Sequence, residues 1–524
     1  NEQISVTLQF YNGGNSSAKA YLDYIEIIAK RNLVVGNKQF AFRNFATLNT
    51  TGIVNFQIQN ASNIFKIWDI SNPINISNIS NQGSSGNFTF NTLGGQLKEF
   101  VIVNSQDYYT PTRPTDYRVQ NQNLHGLTDI DYLIITDANF IDEAETIAQY
   151  HRTQSGLAVE TISLNQIYNE FGSGSKDITA IRDFVRHVYL NAPSRLKYVL
   201  LYGDASFDFK NISNQTASIV PAFESFNSFD MTSSFVTDDF YGIVSDLNEG
   251  DLDGYSSQTQ DVAVSRIPFN TTQEAIEINT KLLNYFHSNS LGDWRNEVLM
   301  IADDIDASSD ETLQTSQEAL ADNVKINKPL VNVKKLWMDA YVQEVTAGGS
   351  RYPQVNAEIN NQIEKGTLLI DYFGHGGEDG LSAERIVETG QIESWANLNN
   401  LNLLTVISCE FARFDNPYRP NTAGELVMRN PNGGAAHEIA TAREVFINIG
   451  QYFNHNLIPR LLEYSNNSFS ISDHLRMSKN TSTSSKQRFF IFSFGDPAMK
   501  LALPKPDVRL THMNGIPVTQ SLDT

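Results

Sequence analysis

Two apolar runs, each stopping abruptly at a chemically active side chain, set the tightest limit on what this chain can fold into. One is Leu403-Leu404-Thr405-Val406-Ile407-Ser408-Cys409-Glu410-Phe411, apolar up to the only cysteine in 524 residues and polar just after it. The other, upstream, is Thr367-Leu368-Leu369-Ile370-Asp371-Tyr372-Phe373-Gly374-His375-Gly376-Gly377. Short apolar runs of this kind read as strands buried on both faces, which belong to parallel sheets covered by helices. Parallel neighbours finish at the same sheet edge, so the residues just beyond their ends come side by side.

A thiol and an imidazole brought together this way can form a thiolate–imidazolium pair, a nucleophile for carbonyl carbon. The bland alternatives are a cysteine packed as a small apolar residue and a histidine that serves only as a hydrogen-bonding group. Two features favour chemistry. Gly374, Gly376 and Gly377 flank His375 and let the backbone come close to a ligand. Cys409 is followed by a turn-like stretch, Arg413-Phe414-Asp415-Asn416-Pro417.

The length exceeds what one core supports, so three or more units are expected. A net charge of −21 argues against nucleic acid, which requires a basic surface. A lone cysteine excludes an internal disulfide framework but not an extracytoplasmic location. No apolar run approaches the roughly 20 residues of a membrane helix. Asn1-Glu2-Gln3-Ile4 is already strand-like, with no signal peptide, and reads as the start of a fragment or a processed product.

Residues 1–126 carry alternating stretches such as Ile4-Ser5-Val6-Thr7-Leu8-Gln9-Phe10 and Gly52-Ile53-Val54-Asn55-Phe56-Gln57-Ile58, with turn residues between them. This pattern predicts an antiparallel β-sandwich. Pro111, Pro114 and Asn121-Gln122-Asn123 mark a linker. From Asp131 strands alternate with helices. Strands are expected at 132–136, 158–162, 198–202, 297–302 and within 331–338; helices at 140–153, after an Asp177 cap, and at 313–323. That alternation predicts α/β architecture, with subdomain A over 127–290 and subdomain B, carrying His375 and Cys409, over 291–504. Val508-Arg509-Leu510-Thr511 reads as the first strand of a further β-domain over 505–524. The acidic, glycine-containing stretch Asp246 to Gly254 suits either a structural calcium site or a hairpin turn; its spacing is not that of an EF-hand.

Gly374-His375-Gly376-Gly377-Glu378-Asp379-Gly380 and Ser408-Cys409-Glu410-Phe411-Ala412-Arg413-Phe414-Asp415-Asn416-Pro417 resemble the active-site segments of the gingipain-type cysteine peptidases. Phe494-Gly495-Asp496-Pro497-Ala498-Met499 and Asp261 to Pro268 are similar to two further segments of that family, and the resemblance spans residues 128–504. The Gly-Gly-Glu after His375 and the Glu-Phe after Cys409 are closer to its sortase branch, which serves type IX secretion. The resemblance implies a caspase-like α/β domain of two tandem, mostly parallel sheets. It implies Cys409 as nucleophile, His375 as its acid–base partner, and the N–H groups of Gly376 and Cys409 as oxyanion donors. In the family an acid at the end of the 297–302 strand orients the histidine. Asp303 and Asp304 stand there, slightly out of register, with a loop role or calcium ligation as the alternatives.

No cofactor is required on this reading, and no catalytic metal is assigned. The implied partners are cargo proteins with a C-terminal signal domain, a PorV-like outer-membrane barrel, and a surface lipopolysaccharide that accepts the cargo. The implied place is the cell surface. A broad-acting secreted endopeptidase and a catalytically silent scaffold are the alternatives. Glu410 either shapes the substrate site or pairs with Arg413. Glu378 and Asp379 lie on the cleft rim or form a solvated turn. His437, after Gly433-Gly434, reads as supporting rather than ligating.

Overall fold

A computed structural model describes the chain except for residues 1–3, 21, 23, 65, 84–85, 114–117, 193–194, 216–217, 229, 231, 246–249, 255–256, 465–467, 482–484, 505–510, 514–515 and 518–524. The chain divides into two compact units, Asn1–Gln120 and Asn121–Thr524.

The first unit is all-β. Phe40–Arg43, Glu99–Val103, Lys66–Asp69 and Ser77–Ile79 make one antiparallel sheet, and Ile53–Gln59 pairs with Asn87–Leu93 in a second. Alternate residues point inward, so Phe56, Ile58, Phe88 and Phe90 of one sheet meet Ile67, Phe100 and Ile102 of the other in a single core. Phe90 and Phe100 lie edge to face at 4.9 Å, a preferred aromatic geometry. Residues 4–10, expected as a strand, form none. Alternation supplies suitable side chains, but a strand also needs a partner ladder, and Ile4, Leu8 and Phe10 remain 60, 62 and 55% exposed.

The second unit is organised by ten strands, numbered here in chain order: β1 Tyr132–Thr136, β2 Val159–Ser163, β3 Tyr198–Tyr202, β4 Ala263–Ile267, β5 Glu297–Ala302, β6 Asn332–Trp337, β7 Leu369–Phe373, β8 Asn402–Ile407, β9 Ala435–Thr441 and β10 Ile491–Phe494. They form one sheet in the order β6-β5-β7-β8-β9-β10-β4-β3-β1-β2. The two expected sheets are therefore continuous. All neighbours are parallel except β9 and β10. The halves consequently run in opposite directions, and the carboxyl ends of β5, β7, β8 and β9 gather on one edge. Both faces are covered: Tyr132 and Ile134 belong to one hydrophobic cluster, Leu133 and Ile135 to another. That explains runs without alternation.

β10 makes the seam. Gly495 donates to Arg266 O at 2.8 Å, and Ser265 Oγ to Ser493 O at 2.9 Å. Gly495 has φ +128°, and a Cβ there would lie 2.6 Å from His437 Nδ1, so glycine is required on both counts. The next residue, Asp496, receives Tyr132 Oη at 3.0 Å and lies 2.5 Å from His151 Nε2. Burial opposes the His151 charge, but Asp496 holds the imidazolium above its ordinary range. The Phe494–Met499 segment is thus a structural tie between the halves.

Asp177 caps the helix Ile178–Asn191, accepting from Thr179 N at 2.8 Å. Residues 246–249 of the acidic stretch lie outside the described residues. In the described part Asp251 accepts from Gly254 N, as in a turn, and Asp253 accepts from the distant Phe226 N. His512–Met513 pairs with Ile516–Pro517, while Val508 to Leu510 of the expected terminal strand lie outside the described residues.

Candidate active site

The register of three adjacent strands fixes the site. Ala302 of β5 pairs with Phe373 of β7, which pairs with Ile407 of β8. Asp303 N then donates to Phe373 O and Gly374 N to Ile407 O, each at 3.3 Å, so the rows continue past the ladder. Two residues beyond the paired ends, His375 and Cys409 leave neighbouring strands at the same level. Gly376 opens a short hairpin, Gly376–Gly377 against Gly380–Leu381. A Cβ on Gly376 would lie 2.9 Å from Ser408 Oγ, so only glycine brings this turn against the Cys409 strand. His375 and Cys409 thus follow adjacent strands at one sheet edge, and Gly376 lies against Ser408, the residue before Cys409.

The two acids expected to orient His375 hold something else. Asp303 Oδ2 accepts the backbone N–H of His375 at 2.7 Å and its Oδ1 that of Asp304 at 3.3 Å. It packs beneath the turn, where a Cβ on Gly374 would lie 2.5 Å from its own Cβ. Burial pushes the Asp303 carboxyl up to about 7, with Asp304 adding to the shift and the His375 N–H opposing it. Asp304 accepts Tyr352 Oη at 3.1 Å. The carboxylate that reaches the imidazole is Asp310: its Oδ1 is 3.5 Å from His375 Nε2, and its side chain is 3% exposed against 49% for the histidine. Burial works against the Asp310 charge, but Ala307 N–H at 2.8 Å, Ser309 Oγ at 3.1 Å and His375 hold it below its ordinary range. Asp310 immediately precedes the helix Glu311–Asn327. The only sequence signal for it was an acid at a helix start.

Cys409 is partly buried. Thr441 Oγ1 donates to its carbonyl. Burial pushes its thiol up to about 11, the charges of Glu444 and Glu410 add, and the Val445 N–H opposes them. At neutral pH the resting group is therefore the thiol, not the thiolate of a preformed ion pair. Glu444, which sequence reasoning missed, arrives on the loop after β9, the next strand beyond β8. Glu410 pairs with Arg413 at 2.9 Å. Arg413 and Arg419 both approach Glu378 at 3.8 Å, Asn416 Nδ2 donates to Glu378 at 2.8 Å, and Arg419 also pairs with Asp379. These residues form a linked ionic rim. His437 is fully buried, and burial pushes it down to about 3, so it is a neutral core residue.

The sequence profile of peptidase family C25 matches residues 125–502. No curated protein matches the sequence. Among solved structures, dimeric latent PorU from Porphyromonas gingivalis is 21% identical, with a TM-score of 0.56 over 93% of this chain and 41% of PorU. The complex of the Porphyromonas gingivalis RgpB pro- and mature domains is 17% identical, with a TM-score of 0.54 over 71% of this chain and 80% of that one. The Arg-specific cysteine proteinase gingipain R is 16% identical, with a TM-score of 0.53 over 73% and 80%. At these identities the likeness is one of fold.

Proposed function

The chain belongs to peptidase family C25, and from that premise we propose that it is a cysteine peptidase that works as a sortase, releasing the C-terminal signal domain of secreted cargo and passing the cargo to an amine. The carrying observation is the shared row of His375 and Cys409 at the carboxyl edge of β7 and β8, with Asp310 on the imidazole. Because the resting sulfur is protonated, His375 removes the Sγ proton as Sγ attacks the scissile carbonyl carbon. Asp310 steadies the imidazolium that results. The oxyanion forms beside the Gly376 turn, where backbone N–H groups of Gly376 and Cys409 are the proposed donors. As the C–N bond breaks, His375 returns its proton to the leaving amine, leaving a thioester on Cys409. An incoming amine then attacks the thioester and gives a proton to His375, and the thiol is restored.

One observation favours amine over water as acceptor. Glu410 and Glu444 place negative charge beside the sulfur, which suits an ammonium arriving before it is deprotonated. The proposed partners are cargo with a C-terminal signal domain, a PorV-like barrel, and a surface lipopolysaccharide amine, with the enzyme at the cell surface. No helix among the described residues is long and apolar enough to cross a membrane.

Mass spectrometry of the protein with a cargo-junction peptide tests this. A thioester on Cys409, absent in Cys409→Ala, and an amide product when an amine is supplied are expected. Acid product alone, in the presence of excess amine, overturns the sortase in favour of a hydrolytic peptidase; no adduct overturns both.

A further inference from the structure

One fully buried carboxylate takes no part in the proposed reaction, yet it is bonded to the elements that carry every reacting group. Asp371 lies in the middle of β7, and Leu369 and Phe373, which share its face of the strand, are apolar. An apolar residue at 371 would continue that pattern. Instead Asp371 Oδ1 accepts from Thr405 Oγ1 at 2.5 Å, and its Oδ2 accepts from Gln317 Nε2 at 2.8 Å and Asn454 Nδ2 at 3.0 Å. All four residues are fully buried. The three donors are neutral. A carboxylate set in a core without a cation is costly, and burial pushes this one up to about 6 against the pull of its three donors. The fold alone does not call for such a group.

Its partners supply a reason. Thr405 is the residue paired with Asp371 across β7 and β8. His375 stands four residues beyond Asp371, and Cys409 four beyond Thr405. Gln317 belongs to the helix Glu311–Asn327 and follows Asp310 by seven residues, about two turns from the carboxylate on the imidazole. The same Gln317 Nε2 donates to Ile301 O of β5 at 3.3 Å, and β5 leads to Asp303, which holds His375 N. Asn454 belongs to the helix Ile447–Leu461, which starts two residues after Val445, whose N–H bears on the Cys409 thiol. Apolar contacts are non-directional, so a helix held to a sheet by them alone can shift along it. Hydrogen bonds to one shared buried acceptor fix distance and direction together.

We propose that Asp371 is a positioning residue, a buried hub that sets the level of Asp310 on its helix against His375 and Cys409 on their strands, a role that rests on these three being the reacting groups. Its effect passes through β7, β8 and the helix Glu311–Asn327. Asp310 feels it most, because its Oδ1 already stands 3.5 Å from His375 Nε2, and a small slide of the helix would part them.

The test compares the full chain with its variants in single-turnover acylation of Cys409 by a cargo-junction peptide. Mass spectrometry at several peptide concentrations gives the maximal rate and the half-saturating concentration, and melting temperature is read in parallel. Gln317→Met keeps the bulk of the side chain and deletes its bond to Asp371. It is expected to lower the maximal rate about ten-fold and to leave half-saturation unchanged. In an Asp310→Asn background, where the helix no longer carries a charge to place, the same substitution is expected to change the rate by less than about two-fold. Tyr202→Phe removes a buried hydrogen bond to Asn279 in the other half of the sheet, and is expected to melt lower while acylating at the parent rate. Should Gln317→Met fail to fold, Thr405→Val puts the same question to the Cys409 strand, with the same fall in maximal rate expected. A loss from Gln317→Met that is equal in both backgrounds, or matched by Tyr202→Phe, is a general loss of stability and overturns the hub. So does parent-rate acylation by Gln317→Met, or by Thr405→Val in its place, while Asp310→Asn is slow. Parent-rate acylation by Asp310→Asn overturns the reading of Asp310 as a reacting group, and this role with it.

Discussion

The two halves of the large sheet repeat the same strand–helix alternation, yet they treat the charges near their strand ends in opposite ways. In the first half the charges are paired and closed off. Asp204, just past β3, is 1% exposed and receives Arg429 at 2.7 Å, Asn270 at 3.0 Å and its neighbour Ala205 N at 2.9 Å. Arg266 of β4 grips Asp238 with two bonds of 2.7 and 2.8 Å, and Lys479 reaches both oxygens of Asp239 at 2.7 Å. In the second half, past β5, β7 and β8, the histidine is half exposed, the thiol is only partly buried, and three buried carboxylates face one another. Topology supplies an edge in both halves. Whether that edge is sealed or reactive is decided by which side chains stand there and whether they are paired.

Breaking a sealed pair tests the first side of this contrast and carries the largest expected effect on stability. Arg429→Ala leaves Asp204 and Glu425 buried without their shared cation. It is expected to cost about 3–5 kcal/mol, read as a lower denaturant midpoint. Arg413→Ala, which removes a partly exposed cation shared by Glu410 and Glu378 on the active-site rim, is expected to cost less, about 1 kcal/mol. Equal costs for the two would end the distinction between a sealed end and an open one.

On the reactive side the sharper change is Asp310→Asn. It keeps an oxygen for Ala307 N–H but removes the charge that steadies His375. Acylation is expected to slow by about 10²-fold or more, with the melting temperature nearly unchanged. The corresponding Asp303→Asn is expected to act through the backbone of the His375 turn and to lower stability as well. If Asp310→Asn acylates at the parent rate, the imidazole takes its orientation from elsewhere.

The contrast also explains what the sequence made legible. β7 and β8 were readable because burial on both faces demands uninterrupted apolar residues, and the row of His375 and Cys409 followed from parallel pairing alone. The glycines around His375 were readable because the turn against Ser408 leaves no room for a Cβ. Asp310 was not, since it reaches the imidazole from the start of a helix whose placement depends on tertiary packing, and a single acid there carries no periodic signal. The continuous sheet was hidden for a related reason. β10 is short and follows a long excursion from β9, and a polarity reversal at a seam leaves no mark on the hydrophobic pattern of either strand. Residues 4–10 failed in the opposite sense: their alternation was plain, but alternation does not provide a neighbour to pair with.

The smallest expected effect concerns the sulfur itself, where the two sides of the comparison meet. A sealed thiol, like a sealed charge, is inert. Cys409 approaches that condition at rest, because burial, then Glu444, then Glu410 hold it as SH up to about pH 11 against the pull of the Val445 N–H. Alkylation by iodoacetamide should therefore be slow at neutral pH and climb towards pH 11 instead of reaching a plateau near pH 7. Raising the pH removes the proton, so the sign is that reactivity increases with pH throughout this window. Glu444→Gln deletes one of the two opposing charges and should move the profile to lower pH by less than about one unit, an increase of under about ten-fold in labelling rate at pH 8. A profile that already plateaus near pH 7 in the parent would mean that His375 holds a preformed ion pair with the sulfur. A profile that Glu444→Gln leaves in place would mean that burial alone sets the thiol, and that the acidic flank does not govern the resting sulfur.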